Sequence, residues 1–162
     1  MTRISWFYQI KGWGYKMKLF KKDIIILGVI AGLIGNSAKL ILAFILNNLG
    51  LMTKTYLDIA GNYFQHDSLD NIYGIINSLL ADFFYGGFLG VVLYILIRNT
   101  DMNYIKLKGL LFGGLLHVVH NGIFVFGEFN PTTLDDLNQF MLLFPTLLYG
   151  LVTAWTLEIL VK

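Results

Sequence analysis

Cysteine is absent from the 162-residue sequence, proline occurs only twice, and Asp, Glu, Lys and Arg together make up 14%. Without cysteine there is neither a disulfide scaffold nor a thiolate-ligated metal centre. An ordinary soluble domain carries about a quarter charged residues. The shortfall here, with 56% hydrophobic residues and a mean hydropathy of +0.65, excludes a disordered chain and a water-soluble enzyme. No Walker loop, dinucleotide-binding glycine pattern or nucleophile elbow occurs. Gly86-Gly87 and Gly113-Gly114 lie inside apolar runs, where close helix packing explains them better than phosphate binding.

What is abundant is uninterrupted apolar sequence. A helix needs about 20 apolar residues to cross a bilayer core. Four stretches qualify: 24–46, 75–97, 107–126 and 140–161. None alternates as a barrel strand would, so backbone polar groups in lipid must be satisfied within helices. The expectation is an all-α polytopic membrane protein, a four-transmembrane-helix bundle forming a single domain over residues 1–162.

Charge then orients the bundle. Arg3, Lys11, Lys16, Lys18, Lys21 and Lys22 precede span one, Arg98, Lys106 and Lys108 lie between spans two and three, and Lys162 ends the chain. With four spans, these ten of the twelve basic residues fall on one side. The other side carries Lys54 with Asp58, Asp67, Asp70, Glu128, Asp135 and Asp136. Both termini are expected in the cytoplasm. Residues 1–22 form a basic, aromatic segment, with Trp6, Phe7, Trp13 and Tyr15 suited to the membrane surface. Met17, before Lys-Leu-Phe-Lys-Lys, is an alternative start. Asn36-Ser37-Ala38 is a poor signal-peptide cleavage site because Asn36 is not small, and the apolar run continues to Leu46.

In the first outer loop, Tyr56, Ile59, Ala60, Tyr63 and Phe64 recur at helical spacing. This predicts a short amphipathic helix on the outer interface, with a loop packed on the bundle as the alternative. Asn130-Pro131 is a turn signal, Thr133 and Asp136 have capping-box spacing, and Pro145 favours a kink in span four.

Each span carries one small-or-polar stripe, and the four stripes are expected to face one another. Span one has Gly28, Gly32, Asn36 and Lys39; span two has Ser78, Asp82, Gly86 and Gly90. Span three has His117, His120 and Asn121; span four has Thr146, Tyr149, Thr153 and Thr156. Lys39 lies seven residues before the outer end of span one, and Asp82 seven after the outer start of span two. At 1.5 Å per residue both sit ~10 Å below the outer boundary. A lone charge there costs at least ~2.5–3.5 kcal/mol. Lys39 and Asp82 are therefore expected to pair, with a histidine or Asn121 completing the network. Glu158, four residues from the end, can reach headgroups or Lys162 and receives no role.

The candidate cluster is thus Asn36, Lys39, Asp82, His117, His120, Asn121 and Tyr149. It could relay protons or hold an ion or small solute, or it could be a polar clasp that fixes helix register. His117 and His120 share a face, but a two-histidine pair is a weak metal site. His117 and Asn121 also spell H-x-x-x-N, one motif of the CAAX-processing membrane proteases, whose paired glutamates are missing here. Neither a catalytic site, a cofactor nor a nucleic-acid partner is expected; the expected partners are the lipid bilayer and either further copies of the chain or a larger membrane complex.

The layout resembles the small, uncharacterised four-span membrane proteins of Gram-positive bacteria of the YqhR type. The residues in common are the glycines of span one, the aromatic outer segment, Asn130-Pro131 after span three, and Leu148-Tyr149-Gly150 in span four. The resemblance implies a bacterial cytoplasmic membrane and carries no activity with it.

Overall fold

A computed structural model describes residues 23–62, 71–100, 103–126 and 135–162, with only the backbone course for 62 and 121–126. The elements are α1 (Ile24–Asn48), α2 (Tyr56–Asn62), α3 (Ile72–Thr100), α4 (Ile105–Phe126) and α5 (Asp136–Val161). No strand occurs among the described residues.

Local chemistry sets the helix ends. The Asp23 carboxylate accepts from the Ile25 and Ile26 amides at 2.9 and 3.1 Å, satisfying two donors that the first turn leaves free. After α1 the chain turns through Gly50 at φ +72°, a left-handed conformation that glycine adopts without a side-chain clash. Asp135 caps α5 by accepting from the Asn138 amide at 3.3 Å. This corrects the capping-box reading: Asp136 is the first helical residue of α5, and Thr133 lies outside the described residues. The α5 helix runs unbroken through Pro145.

Among the described residues three helices, α1, α3 and α5, are long and apolar enough to cross a membrane. Their outer faces, with that of α4, are lined by large apolar side chains such as Ile41, Phe44, Phe84, Phe88, Leu111 and Ile159. So much exposed apolar surface is foreign to a soluble monomer. It suits a protein whose solvent is hydrocarbon.

Helix α1 packs along both α3 and α5, and α4 packs along α5, whereas α3 and α4 meet at only a few points. The lateral order is therefore α3, α1, α5, α4. Backbones nearly touch in two of these seams. A Cβ on Gly90 would sit 2.6 Å from the Gly32 Cα, and one on Gly109 would collide with the Gly150 carbonyl oxygen. Lipid tails are as apolar as leucine, so close backbone packing of this kind replaces the hydrophobic drive between helices.

The larger apolar cluster includes Leu27, Ala31, Leu93, Ile97, Phe112, Ala154 and Leu157. A smaller one, Met52, Tyr56 and Leu142, lies under the loop that carries α2. Along α1, Asn36 and Lys39 fall between these two clusters, and both are buried. Helix α2 packs on α3 with Tyr56 and Ala60 buried, so these two side chains point into the protein. Tyr63 and Phe64 lie outside the described residues.

Candidate functional site

Asn36 and Lys39 are three residues apart on α1 and share a face. Opposite them on α3 is Asp82. The Lys39 ammonium lies 2.6 Å from Asp82 Oδ1, and Asn36 Nδ2 donates to Asp82 Oδ2 at 2.7 Å. Both carboxylate oxygens are thus engaged by α1. Glycine makes room for this, because a Cβ on Gly86, one turn beyond Asp82, would sit 2.8 Å from Asn36 Cβ. The Gly86 carbonyl accepts from the Tyr149 hydroxyl at 2.7 Å, which ties α5 to the same turn of α3.

Lys39 has a second neighbour. Its Nζ stands 4.8 Å from the centre of the Tyr56 ring, within reach of a cation–π interaction. Tyr56 is held there from the loop. Buried Asn138, in the first turn of α5, accepts from the Thr53 and Lys54 amides at 2.6 and 3.0 Å and donates to the Lys54 carbonyl at 3.1 Å. The Asp58 carboxylate then accepts from the Thr55 amide and hydroxyl, each at 2.7 Å, which starts α2. The Tyr56 hydroxyl donates to the Leu142 carbonyl at 3.2 Å.

A tyrosine–histidine pair bridges the sparse seam. Tyr85 Oη and His120 Nε2 lie 2.8 Å apart. The His120 ring also leans on Tyr56 and Tyr85, with centroids 5.9 and 5.5 Å away. Asn36, Lys39, Tyr56, Tyr85, His120 and Tyr149 surround a cavity of about 10 Å³, room for no more than one water. Asn36 Oδ1 is buried with no hydrogen-bond partner among the described residues.

Of the residues singled out by sequence, Asn36, Lys39, Asp82, His120 and Tyr149 therefore share one locality. His117 is half-buried and does not line the cavity, and the side chain of Asn121 lies outside the described residues. Tyr56, Tyr85 and Asn138 escaped sequence reasoning. Tyr85 carried a signal, since it falls three residues after Asp82 on the same helix. Tyr56 carried a signal for the outer-loop helix but none for its place over Lys39, and Asn138 carried none, because a loop clasp depends on tertiary folding.

The chemistry available is limited. Asp82 and Lys39 neutralise each other, and the Ser78 and Thr146 hydroxyls donate back into their own helices at 2.8 Å. No group of three His, Cys, Asp or Glu side chains able to hold a metal occurs among the described residues. Glu158, on the far side of the bundle, pairs with Lys162 at 2.8 Å. No protein-family model, curated protein or solved structure matches the chain.

Proposed function

We propose that the protein is a small, non-enzymatic integral component of a bacterial cytoplasmic membrane. In this reading all four long helices span, both termini are cytoplasmic, and the chain acts as a structural or accessory element, either self-associated or within a larger membrane complex. The observation that carries it is the closed Lys39–Asp82–Asn36 network beside a cavity of about 10 Å³. Two opposite charges consume each other's capacity, and the space beside them is too small for a hydrated ion or solute. The fourth span rests on α4, whose 22 residues extend ~33 Å, enough to cross the hydrocarbon.

The rival reading is proton, ion or small-solute handling. The Tyr85–His120 contact favours it, since it places a titratable ring on the same cavity as Lys39.

Flux into proteoliposomes under proton, sodium and potassium gradients separates the two. The structural reading expects wild-type rates equal to those of empty vesicles. A flux that disappears in Asp82→Asn overturns it. Topology is tested separately. The natural chain has no cysteine, so Asn103→Cys and Glu128→Cys each carry one thiol, and a membrane-impermeant thiol reagent should label them from opposite sides. Labelling of both from one side removes the fourth span.

A further inference from the structure

The seam between α3 and α4 opens toward the end of the bundle where these two helices are joined. There an apolar groove of about 250 Å³ runs between them, lined by Leu93, Leu96, Phe112 and Leu115, with Thr100 and Lys108 at its mouth. For scale, an apolar cavity of about 150 Å³ takes up benzene. The groove exists because Gly109 and Gly113 let α4 lie close against α5: a Cβ on Gly113 would collide with the Thr146 carbonyl oxygen. Along this stretch Phe112 reaches the core cluster that holds Leu93 and Ile97, while Leu96, Leu111 and Leu115 stay exposed beside it.

We propose that this groove is a binding site for one acyl chain of an anionic phospholipid, whose headgroup phosphate is met by the Lys108 ammonium. The inference rests on the reading of α4 as membrane-spanning. Two features of the groove choose the occupant. Its walls are hydrocarbon, and its one charged lining residue is a lysine, placed at the end that also carries Arg98, Lys106 and Lys162. Basic pockets between transmembrane helices select anionic headgroups. Lys108 and Leu115 are seven residues apart, so the groove extends ~10 Å along the helix, as a chain descending from a headgroup requires. A second groove, between α1 and α3, is larger at about 350 Å³ but is lined only by Val29, Leu33, Leu80, Gly87 and three phenylalanines. It has no cation with which to choose among lipids and serves as the internal comparison.

The test is native mass spectrometry of the full chain released from bilayers holding equal amounts of phosphatidylglycerol and phosphatidylcholine with the same acyl chains. The wild type should retain one phosphatidylglycerol with about five-fold preference, the increment expected from one lysine near the surface. Lys108→Gln should retain lipid without preference, Leu115→Trp should fill the groove and lose the lipid, and Lys162→Gln should behave as the wild type. Lys108→Gln removes only a charge, so it keeps the test decisive if Leu115→Trp does not fold. Equal retention of the two lipids by the wild type overturns the proposal. So does an equal effect of Lys162→Gln and Lys108→Gln, or a dimer whose partner copy excludes the lipid. Cysteine labelling judges the span independently: correct topology without lipid preference sinks the groove alone, whereas same-side labelling sinks both.

Discussion

The α1–α3 and α3–α4 seams share a helix and differ in nearly everything else. In the first, glycines on both sides bring the backbones together, and a buried ion pair with an added amide hydrogen bond crosses the gap. In the second, the helices meet at few points and a tyrosine–histidine contact bridges them. The difference shows what holds helices together in a hydrocarbon solvent. Leucines facing leucines gain little, because lipid offers the same contact. Small residues that admit backbone approach, and polar groups with nowhere else to go, supply the adhesion.

The largest effect is expected where the tight seam loses one charge. Asp82→Leu strands a buried ammonium and should cost about 3–5 kcal/mol in reversible unfolding from bicelles. The double variant Lys39→Met/Asp82→Leu should lose far less than the two single losses added. Strict additivity would show that the pair is not coupled. Next comes backbone packing. Gly90→Ala drives a Cβ into α1 and should destabilise by about 1–3 kcal/mol. Gly87→Ala, whose Cβ would meet Val29 at an ordinary 3.6 Å, should be neutral or gain up to about 0.5–1 kcal/mol from helix propensity. Equal losses at the two positions would mean that close approach does not stabilise this seam. The smallest effect belongs to the open seam. Tyr85→Phe removes one hydrogen bond, about 0.5–1.5 kcal/mol, and should speed amide exchange in α3 and α4 while leaving α1 unchanged. Uniform acceleration across all three helices would break the contrast between the seams.

The all-helical architecture was readable because its cause is local. Apolar runs of span length act within a few residues of where they stand, whereas the Asp23 cap and the Gly50 turn became visible only in the structure. The level placement of Lys39 and Asp82 was also readable, since depth follows from counting residues along a helix at a fixed rise. The third dimension was harder. Four polar stripes suggested four mutually facing helices, yet α3 and α4 scarcely touch. A stripe says which face avoids lipid but not which neighbour it meets. The Asn138 clasp on Thr53 and Lys54 joins positions 84 and 85 residues apart, and no spacing rule spans that distance.

Sequence by itself determined that the chain folds as helices with apolar outer surfaces long enough to cross a membrane, and that charges set deep within them must find partners. Backbone hydrogen bonding without water and the cost of a lone ion in lipid admit few other solutions. Only the tertiary structure decided which partners: Asn36 rather than a histidine beside Asp82, Tyr56 over Lys39, and Tyr85 against His120. Those choices depend on the rotation and crossing of helices, fixed jointly by every small side chain along a seam, and so have no expression in any single stretch of sequence.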